Sequence, residues 1–272
     1  MNDVVCTASV SDASEIQSAS RSDTLRSIST ALVGIWRAFA VVFFSFFALA
    51  HNAITVPFVR RPQRVRARAV WLHRWCQFAC RVLGVRVTTR GTIPSSGLVV
   101  SNHLSYLDIV VLSSIRPCVF VAKRDVASWP LFGWLAHAAG TIFVDRERRF
   151  SSNKAVDLIR KAIAGGSVVV LFPEGTSLDG STVLPFKPAL LESTVQLRCP
   201  ITPASVDYSL DDGSVADEVC YWRDMTLVPH LLNLLFKCEI RVNYSFSSAK
   251  IRNSNRKEMA RELRDEIVSM RS

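Results

Sequence analysis

Short apolar runs alternate with longer segments of helical periodicity along the chain from Val85 onward. The predicted strands lie near 85–89, 98–101, 119–122, 141–144, 167–171, 201–206 and 239–244. The predicted helices lie near 106–115, 129–139, 152–164, 187–196, 225–236 and 256–270. Nearly continuous apolar strands that alternate with helices are typical of a parallel sheet covered by helices. We therefore predict an α/β fold with a largely parallel sheet and flanking helices over residues 85–272.

The stretch 31–50 is rich in phenylalanine, alanine and valine. Its length just reaches the thickness of a bilayer's hydrocarbon core, but Gly34 and Arg37 interrupt its first third. A buried helix, a spanning helix, a re-entrant segment and an interfacial helix all remain open. We predict a disordered tail over residues 1–23, because serine, alanine, aspartate and threonine dominate it, and a membrane-associated helical segment over 24–84.

Arginine is concentrated in the first third of the chain. The whole chain carries a net charge of +10, and this charge is unevenly distributed, because no Asp or Glu occurs between Thr24 and Leu107. The arginines of this block are 26, 37, 60, 61, 64, 66, 68, 74, 81, 86 and 90. Because the block follows an apolar helix and lacks interleaved stacking aromatics, it predicts contact with an anionic membrane surface and no nucleic-acid partner. Arginines directly after an apolar segment favour the cytoplasmic side for the downstream domain.

The cysteines and tryptophans also indicate a cytosol-facing domain at a membrane surface. The seven cysteines are odd in number and scattered, so they favour a reduced, cytosol-facing domain and predict no zinc site. In the segment 69–84, Trp71 and Trp75 recur at helical spacing, and Arg74 and Arg81 lie among the apolar residues of this segment, which suits a membrane interface.

His103 and Asp108 are the candidate catalytic pair. They follow the predicted strand 98–101, five positions apart. An imidazole can take a proton from a hydroxyl, and a carboxylate can orient it. The chain contains no G-x-S-x-G nucleophile elbow, so the attacking hydroxyl is expected to belong to a substrate. Backbone N–H groups near the start of the helix after His103 are candidates to hold the oxyanion.

Further polar residues follow neighbouring strands. Arg146, supplemented by Lys123, is predicted to clamp an anion, and Glu174 and Gly175 form a turn after an apolar strand. Functional sites collect at the carboxyl ends of parallel strands, where all these residues lie. None of the glycines builds a P-loop or a dinucleotide fingerprint, so nucleotide-cofactor binding by those routes is not predicted.

Four ordered motifs resemble those of the glycerolipid acyltransferase family, which includes the 1-acylglycerol-3-phosphate acyltransferases. The resemblance covers roughly residues 70–245. N-H-x-x-x-x-D is matched by Asn102, His103 and Asp108; G-x-x-F-[IV]-x-R by Gly140, Phe143, Val144 and Arg146; F-P-E-G-T by Phe172, Pro173, Glu174, Gly175 and Thr176. The proline-containing strand at 200–206 resembles the fourth motif.

The resemblance implies acyl transfer from acyl-CoA or acyl-carrier protein to the hydroxyl of a membrane lysolipid, with no metal or bound cofactor. His103 would be the general base and Asp108 its orienting partner. The substrate-binding residues would be Asn102, Lys123, Arg146, Glu174, Gly175, Thr176 and Lys187. The implied location is the bacterial inner membrane, with the catalytic domain facing the cytoplasm.

One departure from the pattern affects the acceptor. The family's third motif continues with arginine, and this chain has Ser177, followed by Leu178 and Asp179. Lysophosphatidic acid is the first expectation for the acceptor, with Lys187 replacing the lost charge. A lyso-ornithine lipid or another lysolipid is the alternative, because the run 172–187 is similar to that of bacterial lyso-ornithine lipid acyltransferases. Acyl exchange between phospholipids and a non-catalytic module on anionic membranes are the remaining alternatives.

Overall fold

The computed structural model describes residues 10–144, 153–252 and 255–271. Its helices are α1 Val10–Thr55, α2 Arg64–Leu83, α3 Leu107–Ile115, α4 Phe132–Ala139, α5 Asn153–Ala164, α6 Glu192–Leu197, α7 Val215–Glu218, α8 Leu227–Leu235 and α9 Arg256–Met270. Its strands are β1 Val85–Arg90, β2 Gly97–Ser101, β3 Cys118–Lys123, β4 Ile142–Val144, β5 Val168–Leu171, β6 Ile201–Ser209 and β7 Ile240–Phe246. The predicted α/β fold is confirmed.

The strands form one sheet in the order β1-β7-β6-β2-β5-β3-β4. Every pair is parallel except β6 with β7. β2 lies at the centre, between β5 and β6, so the residues that follow β2 meet the loops of both neighbours. The structure thus brings His103 to the carboxyl edge of a central strand, where α/β sheets form their sites.

Alternating residues of the central strands supply two hydrophobic cores, one on each face of the sheet. Val99, Phe120 and Val170 join the core that α2, α3 and α8 cover. Their neighbours Leu98, Val100 and Val169 join the core that α5 and α9 cover. Because both faces are buried, strands of this kind have no polar alternation, and this is why apolar runs alone predicted them.

Helix α1 differs from the prediction. It begins at Val10, so residues 10–23, predicted as part of a disordered tail, are helical. A nucleated helix gains one hydrogen bond for each residue that it adds, and the apolar part of α1 supplies that nucleus. The segment Ser29–Phe58 is long and apolar enough to cross a membrane.

One face of α1 packs against the α/β domain. Arg37, which interrupts the apolar stretch, is buried and donates through Nη1 to the carbonyl of Leu235 at the end of α8, at 3.3 Å. The Nε1 of Trp71 donates to the carbonyl of Ala48 at 3.2 Å, and the Nδ2 of Asn52 to that of Ala138 at 3.3 Å. These contacts attach α1 to α2, α4 and α8.

Helix α2 belongs to the domain core, so the predicted boundary at residue 84 is displaced. Ala69 lies in one core, and Cys80 and Leu83 lie in the other. Trp71, expected at a membrane interface, is 5% exposed, because its indole packs against α1. Hydrophobic spacing alone does not distinguish a helix face that meets lipid from one that meets a sheet.

Candidate active site

His103 lies just after the end of the central strand β2, and its side chain is partly exposed to solvent. Its Nδ1 lies 2.7 Å from the Oδ2 of Asp108, which is in the first turn of α3. The His103 side chain is 21% exposed and that of Asp108 is fully buried. A carboxylate can only accept, so Nδ1 carries the hydrogen and Nε2 keeps its lone pair. The free Nε2 is therefore the atom that can take a proton.

Asp108 is fixed by further donors. Its Oδ2 accepts from the backbone N–H of Leu104 at 2.8 Å and of Ser105 at 3.1 Å, and its Oδ1 accepts from the hydroxyl of Tyr208 at 2.6 Å. The N–H groups of Leu104 and Ser105 are thus used to orient Asp108. The expectation that N–H groups near the start of the next helix hold an oxyanion stays a prediction.

Aromatic rings hold the imidazole from one side. The ring of Phe172, which follows β5, stacks on His103 with centroids 4.2 Å apart and planes 16° apart. Phe120 of β3 stacks behind Phe172 at 6.3 Å. This packing fixes the imidazole plane and shields one face from water.

Asn102 braces two strands, contrary to its expected role in substrate contact. Its Nδ2 donates to the carbonyl of Val206 at 3.0 Å, and its Oδ1 accepts from the N–H of Val206 at 2.8 Å. The side chain is fully buried. Both amide groups thus bind β6, and Asn102 fixes where the chain leaves β2 next to His103.

Glu174 also has a backbone role where substrate contact was expected. Its Oε1 accepts from the N–H of His103 and its Oε2 from that of Leu184, both at 2.8 Å. The side chain is 1% exposed. Burial raises the pKa of this carboxyl, and the two backbone N–H groups act in the opposite direction. Glu174 is therefore a positioning residue for His103.

The turn after Glu174 approaches the catalytic histidine through its backbone. Gly175 has φ +76, a conformation that other residues rarely adopt, and it brings the chain back toward β2. Thr176 is exposed, as expected of a residue that could meet a substrate. The N–H of Leu178 donates to the carbonyl of His103 at 3.1 Å, and the Ser177 hydroxyl donates to the carbonyl of Tyr221.

The remaining predicted cations have different environments. Lys123, at the end of β3, is exposed and paired with Asp125. Lys187 is exposed, its N–H bonds the carbonyl of Pro173 at 2.9 Å, and its ammonium has no ion-pair partner among the described residues. Arg146 lies outside the described residues. Within the described ranges, no group of three or more His, Cys, Asp or Glu side chains is arranged to hold a metal ion.

An apolar cavity of about 230 Å³ adjoins the site. Helices α1 to α4 line most of it, and the lining includes Tyr106 and Leu107, which follow His103 closely in the sequence, and Phe120, which stacks on Phe172. The cavity has the lining expected of a site for a hydrocarbon chain. Sequence analysis missed it, because its walls come from segments whose apolar residues resemble ordinary core.

Tyr106, Tyr208 and His230 were also missed. The Tyr106 hydroxyl lies 2.9 Å from Nδ1 of His230, whose Nε2 donates to the carbonyl of Cys220 at 2.9 Å. Burial lowers the pKa of His230. Tyr208 and His230 come from distant parts of the chain, and Tyr106, although it lies between His103 and Asp108, bonds a partner more than 100 residues away, so no local pattern indicates these contacts.

Several known proteins are similar to this chain. Residues 84–207 match the family model described as Acyltransferase. A lyso-ornithine lipid O-acyltransferase of Rhizobium meliloti (strain 1021) is 37% identical over 219 residues, which are 74% of this chain and 75% of that protein. A 1-acyl-sn-glycerol-3-phosphate acyltransferase of Neisseria meningitidis serogroup B is 30% identical over 154 residues, 53% of this chain and 60% of that protein. The crystal structure of the 1-acyl-sn-glycerophosphate acyltransferase PlsC from Thermotoga maritima superposes on this chain with a TM-score of 0.65. The match covers 90% of this chain and 95% of that one at 18% sequence identity, and it supports the fold.

Proposed function

Because the chain belongs to the acyltransferase family, and is thus an enzyme that acylates lysolipids, we propose that it moves a fatty acyl group from a thioester to the hydroxyl of a lyso-ornithine lipid. The donor is acyl-CoA or acyl-carrier protein. The observation that carries the reaction is the His103–Asp108 pair, in which Nε2 of His103 has no hydrogen-bond partner among the described residues. The sequence contains no G-x-S-x-G nucleophile elbow.

The mechanism follows from the tautomer. Nε2 of His103 takes the proton as the lipid hydroxyl attacks the thioester carbonyl, and the imidazolium returns that proton to the departing thiolate. Asp108 stabilises the imidazolium through Nδ1–H. A thioester is already activated, so a base and correct positioning suffice. The hydrocarbon chain of the donor lies in the cavity beside Tyr106 and Leu107.

Two observations favour lyso-ornithine lipid over lysophosphatidic acid, the first expectation. The lyso-ornithine lipid enzyme of Rhizobium meliloti is the more similar relative, in both identity and coverage. Ser177 stands where the glycerolipid motif has arginine, so the turn after Glu174 lacks a cation suited to a phosphomonoester.

An acceptor panel tests this proposal. With one labelled acyl thioester, we expect kcat/KM for lyso-ornithine lipid to exceed that for lysophosphatidic acid at least tenfold, because Ser177 cannot pair with a phosphate dianion. The measurement is radiolabelled product separated by thin-layer chromatography. Lysophosphatidylethanolamine serves as the control for general detergent effects. A higher kcat/KM with lysophosphatidic acid would return the acceptor to the first expectation.

We further propose that α1 lies in one leaflet at the membrane surface. The contacts from Arg37 to Asn52 hold the helix against the domain over roughly 20 Å, at about 1.5 Å per residue. If α1 crossed the bilayer perpendicular to its plane, these contacts would draw the α/β domain into the hydrocarbon core of the membrane. The opposite face of α1 exposes Phe39, Phe43 and Phe46. An amphipathic helix of this kind buries its apolar face at the headgroup boundary, and the arginines that follow face anionic lipid on the cytoplasmic side of the inner membrane.

Replacing Phe39, Phe43 and Phe46 together by serine tests the membrane proposal. We expect at least a tenfold weaker partition onto anionic vesicles, because each buried aromatic side chain contributes about 1.5–3 kcal/mol. Sedimentation with vesicles measures it. Ile251→Ser, at a side chain 69% exposed outside α1, is the control. Unchanged binding by the triple variant would contradict an interfacial α1.

A further inference from the structure

Two loops, one carrying Asp179 and the other Arg223, are hydrogen-bonded to the backbone of the catalytic histidine and its neighbour. In the first, which follows β5, Leu178 donates its N–H to the carbonyl of His103 at 3.1 Å, and Asp179 comes next. In the second, Tyr221 donates its N–H to the carbonyl of Leu104 at 2.8 Å, and Arg223 follows two residues later. Asp179 thus lies one residue from a backbone bond to His103, and Arg223, which precedes Asp224, lies two residues from a backbone bond to Leu104.

The first loop holds Asp179 in a fixed place. Beyond it, the carbonyl of Gly180 accepts from Nη2 of Arg271 at 2.6 Å. The Oδ1 of Asp179 accepts from the N–H of Ser181 at 3.0 Å and from its hydroxyl at 2.7 Å. Within the described residues, Oδ2 has no hydrogen-bond partner. The Ser181 groups hold the pKa of Asp179 below its ordinary value, and the guanidinium of Arg223 adds to the effect. The carboxylate is therefore oriented and has one oxygen open.

The second loop presents Arg223 in an unusual conformation. Its φ is +52, a conformation that residues with a side chain rarely adopt. Its guanidinium lies 3.9 Å from the ring centroid of Trp222 and is exposed. Among the described residues, Arg223 has no ion-pair partner. The stacked guanidinium keeps its N–H groups available for an anion.

A lyso-ornithine headgroup has complementary charges. Ornithine linked to a fatty acid through one amine keeps an ammonium and a carboxylate, so the headgroup is a zwitterion. The ammonium lies on the order of 10 Å from the acceptor hydroxyl when extended, at about 1.5 Å per bond. A lysophosphatidic acid headgroup carries only negative charge, which Asp179 would repel.

Resting on the proposed function, we infer that Asp179 and Arg223 select the acceptor, with Asp179 pairing with the ammonium of the headgroup and Arg223 with its carboxylate. Ser177 joins the two loops through its bond to Tyr221. An arginine in its place would have to give up that bond and would add a cation where this headgroup needs none.

Two acceptor analogues test the pair. N-(3-hydroxyacyl)norvaline lacks the ammonium, and N-(3-hydroxyacyl)putrescine lacks the carboxylate. We expect Asp179→Asn to raise KM for lyso-ornithine lipid at least fivefold and to leave KM for the norvaline analogue unchanged. We expect Arg223→Gln to raise KM for lyso-ornithine lipid and the norvaline analogue, but not for the putrescine analogue. In both variants kcat at saturation changes less than twofold.

The controls are Asp212→Asn and Arg261→Gln, two exposed residues in the loop after β6 and on α9. If the KM of a variant changes equally for all three acceptors, the assignment of that residue is overturned. The proposed function is then still supported if the wild-type enzyme acylates lyso-ornithine lipid. A wild-type enzyme that acylates lysophosphatidic acid but not lyso-ornithine lipid removes both proposals.

Discussion

Replacing His103 by alanine is expected to lower kcat/KM for acyl transfer by about 10²- to 10⁴-fold, the contribution of a positioned general base. The imidazole has one ring nitrogen bound to Asp108 and the other free, so its removal eliminates the proton acceptor. The side chain is 21% exposed and lies at a strand exit, outside the two cores, so the fold is expected to survive. Product formation from a labelled thioester, with circular dichroism of the purified variant, measures both effects.

His137→Ala is the matched control, because His137 is exposed on α4 and stacks only against Phe143 in the described part of the chain. It should keep wild-type activity. Asp108→Asn should also lose activity, and the double variant with His103→Ala should be no worse than His103→Ala alone, because the aspartate acts through the imidazole. Near-normal turnover by purified His103→Ala, or additive losses in the double variant, would contradict general-base catalysis by this residue.

The sheet was predictable because the sequence pattern of its central strands is local. The strands that form β2 and β5 are buried on both faces, so their sequences are uninterrupted apolar runs. The polar residues that follow them had to meet at one edge, since parallel strands end on the same side. His103 and Asp108 were recognisable for a similar reason. They lie five positions apart, so their contact can be inferred without knowing where distant parts of the chain lie.

The roles of Asn102 and Glu174 were not predictable in this way. A polar side chain after a strand has the same sequence signature whether it meets a substrate or a backbone group. The partners that decide the question, Val206 and Leu184, are fixed only by how β6 and the loop after β5 are placed. Arg37 is a comparable case, because an arginine in an apolar helix looks like an interruption until the end of α8 is placed beside it.

Glu174→Gln is expected to reduce kcat by about 10- to 10²-fold and leave KM for the acceptor unchanged. The carboxylate accepts from two buried N–H groups, those of His103 and Leu184. A glutamine offers one oxygen to one of them and turns an NH₂ donor toward the other, so one buried bond is lost and the backbone of His103 shifts. A displacement on the order of 1 Å at a reacting group is enough for a loss of this size. The unsatisfied N–H should also lower the free energy of unfolding by about 1–3 kcal/mol. Steady-state kinetics and chemical denaturation measure the two effects.

Glu192→Gln provides the comparison, because Glu192 is half-buried and pairs with the side chain of Arg256. It should change the free energy of unfolding by about 0–1 kcal/mol and leave kcat unaltered. The two roles considered for Glu174 predict opposite patterns. A carboxylate that contacts the acceptor would raise KM on substitution and leave stability almost unchanged, whereas one that holds the backbone of His103 lowers kcat and stability together. A rise in KM at unchanged stability would therefore restore Glu174 as a substrate contact and leave the position of His103 to Asn102, Asp108 and Phe172.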